Sequence, residues 1–133
     1  MARADALADR LADFASPVEV GIGARTDVAA RLADETAVTA TDVRPCTVPD
    51  DVTFVQDDIT DPAMDVYADA DALYALNLPR ELHRPTRAVA RAVGAVFRFT
   101  TLGSEFPAVT TEAETLPAGE TLFRATDRGG EPA

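Results

Sequence analysis

Val18-Glu19-Val20-Gly21-Ile22-Gly23-Ala24-Arg25-Thr26-Asp27 is the stretch of this 133-residue chain whose residue types and spacing fit a ligand. Apolar, β-prone residues run into two glycines spaced Gly-x-Gly. A helix start at Thr26-Asp27 follows, with Val28, Ala29, Leu32 and Ala33 at helical spacing. The spacing predicts strand, glycine turn, helix. Glycines there allow a sharp turn and close approach of a ligand to the main chain, while a helix start offers unpaired N–H groups. Asp42 closes the next predicted strand, where a carboxylate can accept both hydroxyls of a ribose. Asp57 and Asp58 close the third. Each of these acids has a plainer reading as a loop cap or a solvated surface charge.

The departures from a dinucleotide fingerprint discriminate between ligands. The position for a third glycine holds Thr26, and a carboxylate, Glu19, stands two residues before Gly21. An acid beside the loop opposes a pyrophosphate and suits a cation, by the sign of the Coulomb interaction. S-adenosylmethionine carries an ammonium and a sulfonium, whereas NAD carries two phosphates. The expected ligand is therefore S-adenosylmethionine or a related adenosyl nucleoside. Glu19 would face the ammonium, Gly21 and Gly23 would line the loop, and Asp42 would hold the ribose.

The elements that position these residues can be read in order. Residues 3–15 place Ala4, Leu7, Ala8, Leu11, Phe14 and Ala15 on one stripe, an amphipathic helix ended by Ser16-Pro17. Strands are expected at Val18–Val20, Ala37–Asp42, Val52–Gln56, Ala70–Leu76 and Ala95–Thr100. The first crossover helix runs about Asp27–Asp34. Only nine residues separate Asp42 from Val52, two of them prolines, so the second crossover helix is reduced to a turn or absent. A short helix is expected at Ala63–Tyr67, and a helical stretch interrupted by Pro85 reaches Val93, ended by Gly94. Thr111–Leu116 and Glu120–Arg124 flank Pro117-Ala118-Gly119 as an antiparallel hairpin. The fold class is α/β: a Rossmann-like, open, mostly parallel sheet with helices on both faces. Residues 1–126 form one domain, and 127–133 a flexible tail.

Composition bounds the function. Asp and Glu number 23 against 12 arginines and no lysine, a net charge of −11. Alanine supplies 26 residues, leaving few large core side chains. Such Asp-rich, Lys-free usage resembles that of proteins from salt-accumulating archaea, in which molar salt cuts the Debye length to ~3 Å and relieves self-repulsion. One cysteine, Cys46, and one histidine, His83, exclude an intrachain disulfide and a Cys/His zinc site. Cys46, between Pro45 and Thr47, reads as structural or incidental; His83 reads as a solvated loop or helix-face residue ahead of a general base, since a single histidine lacks the partners of a triad. No apolar run approaches a membrane span, so the expectation is a soluble, cytoplasmic protein. Arg84, Arg87 and Arg91, with Arg80 if Pro85 leaves the row intact, share a helical stripe. That stripe is a phosphate-contacting strip for nucleic acid or, more plainly, a partner for the surplus acids, since the global charge repels a polyanion.

Glu19-x-Gly21-x-Gly23 resembles motif I of class I S-adenosylmethionine-dependent methyltransferases. The resemblance implies that Asp42 is the ribose acid, that Asp57 or Asp58 lies near the adenine, and that the hairpin supplies the last two strands of that fold. Across about residues 5–125 the chain is also similar to a family of short, uncharacterised archaeal proteins. Val-Glu-Val-Gly-Ile-Gly, Thr-Asp-Val, Asp-Asp-Ile-Thr-Asp-Pro and Leu-Tyr-Ala-Leu stand at like positions. That similarity implies a Rossmann-like fold. Arg25 stands where the methyltransferase loop usually has a further glycine, which by the resemblance puts a bulky cation near the ligand tail or lets it grip the methionine carboxylate. Asn77-Leu78-Pro79 resembles the Asn-Pro-Pro-aromatic motif of amino-group methyltransferases only in part, so no catalytic role is assigned to it. Two other readings stand beside a methyltransferase: a degenerate, non-catalytic nucleotide-binding or regulatory module, and an NAD-binding redox domain.

Overall fold

The structure, a computed structural model, describes residues 2–126. Helix α1 (Ala2–Leu11) precedes β1 (Pro17–Val20), α2 (Asp27–Leu32), β2 (Val38–Asp42) and β3 (Val52–Gln56). A 3-10 turn at Met64–Val66 leads to β4 (Ala72–Leu78), and a second at Arg80–Leu82 runs directly into α3 (His83–Val93). Then come β5 (Val96–Thr101), β6 (Thr111–Thr115), a 3-10 turn at Pro117–Gly119 and β7 (Thr121–Ala125).

The seven strands form one sheet in the order β3-β2-β1-β4-β5-β7-β6. The first five are parallel; β7 runs antiparallel to β5 and β6 antiparallel to β7. The chain builds outward from β1 to β3, then returns to place β4 on the other flank of β1. The order therefore reverses between β1 and β4, and in open α/β sheets the crevice beyond the carboxyl ends of such strands is where ligands bind.

Both faces are covered, as the near-continuous apolar runs of β1 and β4 require. On one face Leu7 and Leu11 of α1 and Val28 and Leu32 of α2 pack over Val38, Ala40, Leu76 and Leu122. On the other, Val89 and Ala90 of α3, with Tyr67 from the β3–β4 connection, cover Val18, Val20, Leu73, Phe97 and Phe99. The β2–β3 link carries no helix, as its length demands.

Several boundaries differ from the sequence reading for identifiable reasons. Helix α1 stops at Leu11 instead of residue 15, because the chain there turns into β1. The Ala15 and Ser16 N–H groups donate to the Asp71 carboxylate at 2.7 and 3.0 Å, and Ser16 Oγ donates to the Asp69 carbonyl at 2.9 Å. Those bonds occupy residues 69–71, so β4 begins two residues later than expected and extends through Asn77 and Leu78. Pro85 does not interrupt α3. It lies in the first turn, where the N–H it lacks has no helical partner in any case. Gly94 ends the helix at φ 75. The segment 127–133, expected to be a flexible tail, lies outside the described residues.

Candidate functional site

The bend after β1 is built by β2. Gly21 and Ile22 N–H groups both donate to the Thr41 carbonyl, at 2.9 and 3.0 Å, and Gly23 N–H donates to Asp42 Oδ2 at 2.9 Å. Ile22 plugs into the core, and the glycines on either side take φ +73 and +56, a region closed to most side chains. A Cβ built on either glycine meets nothing within 4 Å, so the main chain faces open space there.

Asp42 is the hinge of the arrangement. Its Oδ1 accepts the Arg44 N–H at 3.0 Å while Oδ2 holds Gly23, and its carbonyl accepts the Asp57 N–H at 3.0 Å. Two hydrogen bonds leave about two lone-pair positions on the carboxylate. A pocket of about 510 Å³ opens beside it, walled by Gly23, Ala24, Asp42, Arg44, Cys46 and Thr47. The 44–47 segment was not singled out in the sequence. The signal was present in the two prolines of the nine-residue β2–β3 link, which fold that link over the strand ends in place of a helix. Cys46, expected to be structural or incidental, is part of this wall.

Glu19 lies on the same face of the sheet as Asp42, since it pairs in register with Ala40, two residues before Asp42. Its side chain is only 1% exposed and sits behind the bend, away from the pocket wall. Its Oε1 accepts the Tyr74 hydroxyl at 2.7 Å from the neighbouring strand β4. Burial raises its pKa from 4.5 to about 8; the Tyr74 hydrogen bond and the Arg25 charge oppose the rise, and Asp27 adds to it. Glu19 is thus mostly protonated at neutral pH. Burial, with the Glu19 charge and hydrogen bond behind it, also drives the Tyr74 hydroxyl well above its ordinary value.

The remaining expected site residues are distributed around this centre. Arg25 is half-exposed and pairs with Asp27 at 3.3 Å. Asp57 is engaged on both oxygens, by the Ala63 N–H at 3.0 Å and the Tyr67 hydroxyl at 2.6 Å, and so ties the β3–β4 connection to the sheet. Asp58 is exposed and accepts the N–H and hydroxyl of Thr60 at 2.9 and 2.7 Å, bonds that lower its pKa. At the end of β4, Asn77 is exposed at φ 54, with its N–H donated to Thr100 Oγ1 at 2.7 Å beside a register shift against β5. Such kinks re-aim a strand end.

His83 corrects the sequence reading. It is fully buried, because positions 83, 86, 89 and 90 form the face of α3 that meets the sheet. Its Nε2 lies 2.9 Å from the Leu78 carbonyl and its Nδ1 accepts the Ala108 N–H at 3.0 Å, which assigns the neutral tautomer protonated on Nε2. Arg84 and Arg91 lie on the exposed side of α3 with Ala88 and Ala92, and Arg87 is half-buried. Among the described residues no His, Cys, Asp or Glu cluster is placed to hold a metal ion, and no helix is long and apolar enough to cross a membrane.

The strand order and the reversal at β1/β4 make a Rossmann-like sheet, and solved structures of methyltransferases share that fold. An RNA methyltransferase from Salinibacter ruber in complex with S-adenosyl-L-homocysteine superposes with a TM-score of 0.62 at 17% identity, over 92% of this chain and 88% of that one. The 1,6-didemethyltoxoflavin-N1-methyltransferase of Burkholderia thailandensis gives 0.51 at 20% identity, over 92% of this chain and 58% of its own. At these identities the likeness is one of fold. Residues 4–128 match the uncharacterised protein family UPF0146, and the chain belongs to that family. A UPF0146 protein of Halobacterium salinarum is 53% identical over 118 residues, 88% of this chain and 92% of the relative. That relative comes from a halophile, in keeping with the acidic, lysine-free composition.

Proposed function

We propose that this protein binds S-adenosylmethionine or a related adenosyl nucleoside at the carboxyl ends of β1 and β2. The observation that carries the reading is Asp42, whose carboxylate fixes the Gly23 N–H and lines an open pocket at the reversal point of the sheet. Its spare acceptor positions suit the two ribose hydroxyls. The positive-φ glycines leave bare main chain beside it for the rest of the ligand. Of the two acids after β3, the exposed Asp58 is assigned to the adenine side in preference to the less accessible Asp57. Arg25, two residues past Gly23 and paired with Asp27 at 3.3 Å, is assigned to a carboxylate on the ligand.

When bound, S-adenosylmethionine supplies an electrophilic methyl group, and transfer by positioning alone needs no general base from the protein. No acceptor-activating residue is assigned. A non-catalytic binding module is the second reading, favoured by the helix-less β2–β3 link. The neutral state of Glu19 removes the charge repulsion that the sequence set against a pyrophosphate, so NAD belongs in the test as a competitor. Titration calorimetry in molar KCl should give saturable binding of S-adenosylmethionine and S-adenosylhomocysteine, with NAD at least about tenfold weaker. NAD binding as tightly as either, or no heat from the adenosyl compounds, would overturn the proposal.

A further inference from the structure

On the other flank of the β1/β4 reversal, a second pocket of about 420 Å³ opens at the carboxyl end of β5. Phe106 and Glu105 of the β5–β6 loop, Glu120 at the start of β7, Phe123 and Arg3 of α1 line it. Phe106 is 80% exposed, whereas Tyr67, Tyr74, Phe97 and Phe99 are buried almost completely. A phenyl ring left in water forgoes the burial that stabilises the others. Its exposure is not a matter of a loose loop. Arg80 Nε donates to the Phe106 carbonyl at 2.8 Å, the Ala108 N–H is held by buried His83 at 3.0 Å, and Glu105 N–H donates to Leu102 at 3.0 Å. The backbone is anchored on both sides of a residue that lines the pocket and keeps its ring in solvent.

We infer that this pocket binds a planar, amino-bearing aromatic ring, stacked on Phe106 with its amino hydrogens directed at Glu105 and Glu120. Two carboxylates against the one guanidinium of Arg3 favour a donor-rich or cationic ligand over an anion. An exposed aromatic face gives a sequence-tolerant stacking surface for a heteroaromatic ring. Its role as the second-substrate pocket rests on the adenosyl reading above; its existence as a binding pocket does not.

The probe is 2-aminopyridine below neutral pH, whose protonated ring nitrogen and amino group donate side by side to a carboxylate. Benzoate is the anionic control. Titrating each into the ¹⁵N-labelled full chain in molar KCl, with and without saturating S-adenosylhomocysteine, locates the site. The expected result is saturable shifts of the 103–106 and 119–121 amides with 2-aminopyridine and none with benzoate, unaltered by S-adenosylhomocysteine. Phe106→Ala, on an exposed side chain, should keep the native melting midpoint and the native S-adenosylhomocysteine affinity while weakening the probe about tenfold. A Glu105→Gln/Glu120→Gln double variant should weaken it comparably. Shifts confined to residues 21–24 and 42–47, equal binding by Phe106→Ala, or concentration-dependent shifts of the same amides without probe, marking a second copy on the ring, would overturn the inference. Probe binding without S-adenosylhomocysteine binding would defeat the adenosyl reading and leave this pocket standing. The converse would defeat this pocket alone.

Discussion

Asp42→Ala is expected to weaken S-adenosylhomocysteine binding about a hundredfold, measured by calorimetry in molar KCl. Two hydrogen bonds from ribose hydroxyls to an ionised acceptor are worth about 1.5 kcal/mol each at the low end, and their sum corresponds to about that factor. The variant also strips the Gly23 and Arg44 N–H groups of their acceptor, so the bend itself should loosen. Asp42→Asn separates the two effects. An amide oxygen keeps a partner for the Gly23 N–H, loses the exposed Arg44 bond and offers a neutral, weaker acceptor to the ribose, so this variant should lose about tenfold with a smaller drop in melting midpoint than Asp42→Ala. If both variants bind as the parent does, Asp42 serves the fold alone and the assigned ribose contact is wrong.

The second large effect concerns Glu19 and stability. In the unfolded chain its carboxyl titrates near 4.5, and in the fold near 8. Between those values the native state holds a proton that the unfolded state has released. Stability therefore falls as pH rises through this window. The contribution of the protonated group is fully present below pH 4.5 and lost as pH passes 8. Glu19→Gln keeps the shape and an oxygen for the Tyr74 hydroxyl but cannot ionise. The difference between variant and parent should widen from pH 5 to pH 9 by roughly 2–4 kcal/mol, with the variant the more stable at the alkaline end. Denaturant titrations at constant molar KCl read this directly, since salt screens the background repulsion of a net −11 chain. A flat difference curve would mean that Glu19 ionises freely in the fold.

The chain's architecture was legible because each element carried its own local signal. Gly21 and Gly23 marked the turn, Gly94 the helix stop, and the short proline-bearing link the missing second crossover. Pro117-Ala118-Gly119 placed the hairpin. What failed to show was anything set by partners distant in sequence. A lone strand acid such as Glu19 invites a ligand, but its partner is Tyr74, 55 residues away, and only the β1/β4 pairing brings the two together. His83 looked solvated because the buried face of α3 depends on where that helix begins, which Pro85 obscured. Asp57 and Asp58 are equivalent in sequence; Tyr67, ten residues on, engages the first and leaves the second at the surface. Asp42 was read from its position alone, and its bond to the Gly23 N–H joins the acid and the glycine bend into one unit.

The most direct test is a crystal structure of this protein grown with S-adenosylhomocysteine at high salt. The ribose hydroxyls should lie within hydrogen-bonding distance of the Asp42 carboxylate, with the amino-acid end of the ligand over the Gly21–Gly23 main chain. An adenosyl group bound away from Asp42, on the Phe106 side of the sheet or on another face, would contradict the account.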